Sequence, residues 1–99
     1  MSILLYGAYG YTGRLIAQEA EDRGLEPVLA GRDAAQLDAL GNALNLPTRV
    51  TSLSEPDRLR RKLEDVPAVL HCAGPFVQTA PPMVEACLDT GTHYLDLTG

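Results

Sequence analysis

The sequence predicts an α/β domain: a doubly wound parallel sheet of five strands in the order 3-2-1-4-5, with helices on both faces. Three observations predict it. Short apolar runs alternate with amphipathic ones along the chain as β-α-β-α-β-α-β-α-β, with brief connections, the pattern of a parallel sheet with crossover helices. The first run, Ile3-Leu4-Leu5-Tyr6, has no polar alternation, which suits a strand buried on both faces. Gly7-Ala8-Tyr9-Gly10-Tyr11-Thr12-Gly13 then separates that strand from an amphipathic run beginning at Arg14. Strand, glycine turn and helix N-terminus in that order make an anion site, because unpaired amides and the positive end of the helix dipole converge there. Right-handed crossovers place the switch point between the first and fourth strands.

In order, residues 2–6 read as the first strand. A helix follows over about 12–23, with Leu15, Ile16 and Ala20 inward and Gly24 as its stop. Residues 27–30 form a second strand ending at Gly31-Arg32. Asp33 reads as an N-cap, with Gln36 three residues on completing a capping box. Leu37, Leu40, Gly41 and Leu44 recur at helical spacing and make 34–44 a helix packed on the sheet. Residues 48–51 are a weak third strand. Ser54 is the expected cap of a third helix over 55–64, with Leu59 and Leu63 inward. Residues 68–71 are the fourth strand, closed by Cys72-Ala73-Gly74-Pro75. Pro81-Pro82 suit the first turn of a fourth helix running to about Thr90 and stopped at Gly91. Residues 93–97 are the fifth strand, and Thr98-Gly99 begin what should follow. The 99 residues amount to one domain. Neither a sixth strand nor a substrate-holding region fits in that length, so 1–99 is expected to be an N-terminal fragment of a longer protein. The open edge of the fifth strand could then be covered by a second copy, as a homodimer.

Bulk properties exclude several classes. A net charge of −5 and a pI near 4.8 argue against a nucleic-acid or membrane-surface binder. No apolar run approaches the ~18 residues of a membrane span, and no basic segment precedes residues 3–6 as in a signal peptide. Two cysteines, Cys72 and Cys87, make no disulfide framework, which points to the cytoplasm with both thiols reduced. Arg58, Arg60, Arg61 and Lys62 follow Glu55 and Asp57, so a solvated helix surface with acid first and base last accounts for them. No grouping has metal-ligand spacing. Lys62 is the single lysine and no tyrosine precedes it by four, which removes the Tyr/Lys catalytic pair of the short-chain dehydrogenases; no catalytic residue is assigned.

The glycine turn is the centre of the candidate site. Gly7 should make the tight turn, Gly10 should let a pyrophosphate approach the backbone, and Gly13 should let the helix pack on the strand. Tyr9, Tyr11 and Thr12 belong to the same loop. Its form is G-x-x-G-x-x-G, as in the extended short-chain and saccharopine-type reductases. An ordinary strand-to-helix turn that binds nothing is the alternative. Arg32, at the end of the second strand, faces the expected adenosine ribose and can clamp a 2′-phosphate, so NADP(H) is favoured over NAD(H). A carboxylate there would select the 2′-hydroxyl; Asp33 is one residue away, but its N-cap role already explains it. Arg14 could add charge near the phosphates. Cys72, Ala73, Gly74 and Pro75 lie at the switch point, where small residues let the nicotinamide-side ribose and the pyrophosphate approach. Cys72 reads as a small buried residue and not a nucleophile, and His71 as a core or interface histidine rather than a general base.

Five segments in order are familiar together: Gly7–Arg14; Leu29-Ala30-Gly31-Arg32; Cys72-Ala73-Gly74-Pro75-Phe76; Val84-Glu85-Ala86-Cys87; and 91–99. They resemble the N-terminal domain of the saccharopine dehydrogenase-like oxidoreductases, in the branch that includes the trans-acting enoyl reductases of bacterial lipid synthesis. The resemblance spans essentially the whole chain. It implies a Rossmann-type NAD(P)-binding fold, NADP(H) as cofactor, reductase chemistry, and a C-terminal domain that binds an unidentified small-molecule or lipid-like substrate and dimerises. His71 stands where the family leads one to expect Asn or another small polar residue. The reading is the cofactor half of an oxidoreductase, with the isolated chain expected to be inactive. The rival is a non-catalytic NADP-sensing or scaffold module; a third possibility is a piece that binds nothing.

Overall fold

Period-two alternation along two buried strands decides how the sheet is covered. In β1 (Leu4–Tyr6), Leu4 and Tyr6 point to one face and Leu5 to the other; in β2 (Val28–Gly31), Val28 and Ala30 share the first face and Leu29 the second. Apolar side chains on both faces need a helical layer on each. The computed structural model, which describes residues 2–74 and 76–96, has both layers. Its elements are β1, α1 (Tyr11–Asp22), β2, α2 (Ala34–Leu44), β3 (Thr48–Val50), α3 (Pro56–Leu63), β4 (Ala68–His71), α4 (Phe76–Thr90) and β5 (His93–Asp96). The sheet is parallel with the order β3-β2-β1-β4-β5. Leu5, Ala17, Leu29, Leu37, Leu40 and Leu44 form one core under α1 and α2. Leu4, Tyr6, Leu59, Leu63, Val69, Met83 and Cys87 form the other under α3 and α4.

Apart from shorter β1, β3 and α3, four details differ from the sequence reading. Gly13 and Ala17 are the buried residues of α1 and Ile16 packs against the core as expected, while Leu15 is 56% exposed. Close approach of α1 to β1 selects the smallest side chains, so size rather than hydropathy sets that face. β2 runs to Gly31, one residue further than expected. Ser54 does not cap α3: its hydroxyl pairs with that of Ser52, and the N-cap is Glu55 followed by Pro56. α4 begins at Phe76, and Pro81 and Pro82 lie inside it rather than in its first turn. The Thr79 hydroxyl donates to the Ala73 carbonyl at 2.8 Å and ties this earlier turn to the loop after β4. Residues 97–99 of the expected fifth strand and its continuation, like Pro75, lie outside the described residues.

α2 follows the sequence reading closely. The Asp33 carboxylate accepts the Gln36 amide at 3.1 Å and the Gln36 side-chain amide at 2.9 Å. At the other end of the sheet's edge strand, Arg49 makes a two-pronged pair with Asp65 at 2.6 and 2.7 Å and donates to the Lys62 carbonyl, pinning β3 to the end of α3. The basic run of α3 is partnered by acids: Arg58 by Glu55, and Arg60 by Asp57 and Asp89.

Candidate functional site

The C-terminal ends of the strands meet at the switch point. Gly7 leaves β1 with φ +82°, a left-handed conformation that side chains disfavour. A Cβ there would lie 2.7 Å from the Ala73 amide nitrogen, so the loops after β1 and β4 touch backbone to backbone. A Cβ on Gly13 would collide with the Gly7 carbonyl oxygen and lie 2.9 Å from the Ala8 Cα. The fold itself therefore requires Gly7 and Gly13. It does not require Gly10, which has extended φ −71° and ψ 170° and whose Cβ would meet only the Gly7 carbonyl oxygen at 3.4 Å. Gly10 is also the N-cap of α1 and offers no side chain to the amides of the first turn.

A cleft of about 770 Å³ opens over this junction. Gly7, Tyr9, Gly10, Tyr11 and Thr12 form one wall, Gly31 and Arg32 a second, and Cys72, Ala73 and Gly74 a third. The structure thus brings together nine of the eleven residues singled out from sequence. Gly13 lies beneath the loop and supports it, and Pro75 is outside the described residues. Arg14 is exposed and does not line the cleft; nor does Asp33, whose carboxyl is held below its usual range by the Gln36 side chain and amide.

Sequence reasoning placed Gly31 beside Arg32 at the ribose end but missed Tyr6, Ser52, Leu53, Ser54, Gln78, Thr79 and Pro82, all of which line the cleft. Topology alone could have found 52–54, because they leave β3 at the same edge of the sheet. Gln78 and Thr79 were hidden by the late start assigned to α4.

In and beneath the cleft lie His71, Cys72 and Tyr94, with the Asp96 carboxylate beside Tyr94. His71 is fully buried, stacked on Tyr6 with ring centroids 5.6 Å apart, and bonded through Nε2 to the Thr79 hydroxyl at 2.8 Å. That hydroxyl donates to Ala73, so the imidazole donates to it, and burial holds the ring below its ordinary pKa. Burial pushes the Cys72 thiol up to about 11, which keeps it protonated at neutral pH. The Tyr94 hydroxyl, raised by burial and by its bond to Asp96, donates to that carboxylate at 2.9 Å. Arg32 is the cation of the cleft wall. Among the described residues no cluster of three or more His, Cys, Asp or Glu has the makings of a metal site. Among them, too, no helix is long and apolar enough to cross a membrane.

The chain is similar to known proteins along almost its whole length. Residues 3–99 match the saccharopine dehydrogenase NADP binding domain family. A trans-acting enoyl reductase of Mycobacterium leprae is 38% identical over 104 residues, covering 98% of this chain and 25% of that protein. A probable mitochondrial saccharopine dehydrogenase-like oxidoreductase of Arabidopsis thaliana is 33% identical with the same coverage. The chain thus spans about a quarter of the length of these relatives. Among solved structures, saccharopine dehydrogenase of Saccharomyces cerevisiae superposes with a TM-score of 0.83 at 19% identity, over 96% of this chain and 21% of that one. A Citrobacter triphenylmethane reductase complexed with NADP(H) superposes with a TM-score of 0.81 at 21% identity, over 96% and 36%. At these identities the structural likenesses establish the fold.

Proposed function

Because the chain belongs to the saccharopine dehydrogenase NADP-binding domain family, we propose that the cleft at the C-terminal edge of its sheet is where it holds NADP(H). Gly10 and the first turn of α1 take the pyrophosphate, Arg32 the 2′-phosphate, and the run Cys72 to Pro75 the nicotinamide half. Gly7, Tyr9, Tyr11, Thr12 and Gly13 build the loop that makes this possible. The observation that carries the assignment is Gly10. Its neighbours Gly7 and Gly13 are demanded by packing, whereas Gly10 lines the cleft and a Cβ there would meet only the Gly7 carbonyl oxygen, at ordinary contact distance.

Each group has a physical task. The uncapped amides of α1 present partial positive charge to a phosphate without needing a lysine. The Arg32 guanidinium supplies a fork of donors suited to a phosphate monoester. Cys72, protonated, adds no negative charge beside the nicotinamide ribose. The bound cofactor supplies a hydride; the chain orients it and does little organic chemistry of its own.

In the whole protein, this domain would serve a reductase acting on a C=N or C=C bond of a small or lipid-like molecule held by a further domain. The names and greater length of the enoyl reductase and oxidoreductase relatives support that reading. The 99-residue chain alone is then a cofactor binder without turnover. We assign it to the bacterial cytoplasm, on its two free cysteines and its mycobacterial relatives. A homodimer formed through β5 is consistent with an edge on which Leu95 is 56% exposed.

Calorimetric titration tests the assignment. The chain should bind NADPH more tightly than NADH, and Arg32→Gln should remove about 10- to 100-fold of NADPH affinity by deleting charge-assisted bonds. Gly10→Val should retain the fold and lose NADPH. Equal affinity for the two cofactors overturns the role of Arg32; unchanged NADPH binding by a folded Gly10→Val variant overturns the pyrophosphate site.

A further inference from the structure

Tyr9 does more than a phosphate-binding loop asks of it. Its ring lies over Gly31 so closely that a Cβ there would overlap ring carbon Cε2. Its phenolic oxygen accepts the amide hydrogens of both Arg32, at 3.1 Å, and Asp33, at 2.9 Å. Two consecutive backbone amides converging on one oxygen next to the start of α2 form a donor set suited to an anion. Here a neutral side-chain oxygen from the opposite wall of the cleft fills it. The nearest carboxylate, that of Asp33, is turned to Gln36. Tyr9 thereby bridges the glycine loop and the end of β2, the two walls between which the adenosine ribose has to enter.

We propose that Tyr9 is a displaceable stand-in for the 2′-phosphate of the cofactor: it holds the Arg32 and Asp33 amides until the phosphate arrives, and then yields them. The proposal rests on the reading above that the end of β2 receives that phosphate. The exchange replaces a neutral acceptor by an ionised one, and hydrogen bonds to an ionised acceptor are roughly twice as strong. A phosphate therefore gains by the swap, whereas the neutral 2′-hydroxyl of NAD(H) would trade one neutral acceptor for another. Tyr9 thus makes the cleft costly to enter for any ligand unable to repay two broken hydrogen bonds.

The test uses the 99-residue chain with 2′,5′-ADP, 5′-AMP and NADPH. Wild-type chain should prefer 2′,5′-ADP to 5′-AMP; absence of that preference overturns the ribose-end reading and the stand-in with it. Given the preference, Tyr9→Phe isolates the proposal. It keeps the ring but removes the competing acceptor, so 2′,5′-ADP and NADPH should bind about five- to tenfold more tightly. Unchanged or weaker binding overturns the stand-in and leaves Arg32 standing. Should the variant not fold, the wild-type chain still decides by NMR. The Arg32 and Asp33 amide resonances and the Tyr9 ring resonances should move together as 2′,5′-ADP is added. Amides that shift while the ring stays unchanged overturn it equally.

Discussion

His71 carries a pH dependence of stability. It sits in β4 between the Tyr6 and Tyr94 rings, and burial lowers its affinity for a proton from the ordinary value of 6.5 against the opposing pull of Asp96. The unfolded chain takes up that proton as pH falls through 6.5, while the folded chain resists it. Stability is thus fully present above 6.5 and declines as the pH falls toward the depressed folded value. Thermal melts at pH 7.5, 6.0 and 5.0 should show this fall, and His71→Gln should flatten it. Asp33 and Asp65, whose carboxyls are depressed below 3.8 by Gln36 and Arg49, act only in a more acidic range. A wild-type profile flat from pH 7.5 to 5.0 would remove His71 from this role. A buried histidine was legible from its place in a strand; its bond to Thr79 was not, because that depends on where α4 begins.

α4 shows where sequence rules are overridden. Two adjacent prolines read most simply as a helix start, because neither has an amide to donate. The helix nonetheless begins at Phe76, held by the Thr79 bond to Ala73 and by Met83, Ala86 and Cys87 in the core. Pro81, exposed and away from the cleft lining, thus removes an interior hydrogen bond. Pro81→Ala should stabilise the chain by about 1–2 kcal/mol, the regained bond being partly offset by a freer unfolded state. An unchanged or lower melting temperature would argue against helix through this turn. α2 is the opposite case. Leu37, Leu40, Gly41 and Leu44 lie on the buried face that their spacing predicts, with Gly41 at the point where a Cβ would meet the Thr48 side chain. α1 was half legible. The role of Gly13 follows from its place after the glycine turn, but Leu15 was assigned inward because periodicity does not reveal how closely a helix must approach its strand. Gly13→Ala should accordingly cost several kcal/mol, since its Cβ meets backbone that cannot move aside, as a melt of the variant would show. Gly10→Ala should melt within a few degrees of wild type.

Taken together, the five strands are tied by pairings of unequal reach. β2 and β3 join β1 through consecutive crossovers, and β5 joins β4 in the same way, but Leu4 of β1 also pairs with Val69 of β4, far along the chain. The strand order could be inferred because right-handed crossovers leave few alternatives. The Gly7–Ala73 backbone contact in the floor of the cleft could not, since the adjacency of β1 and β4 sets the two loops side by side without fixing how closely they approach. Cofactor should therefore stabilise the chain strongly: NADPH at a hundred times its Kd adds about 2.7 kcal/mol. For a domain of this size that raises Tm by roughly 10 °C or more. A melt that is unmoved by saturating NADPH would contradict it. The β1–β4 pairing also has a consequence for proteolysis of the chain. Distant pairings close slowly, because they must overcome the entropy of a long loop. A chain in which β4 has not yet docked has half a cleft and no hold on a dinucleotide. Cofactor binds the completed molecule alone, so saturating NADPH should slow proteolysis of the purified chain.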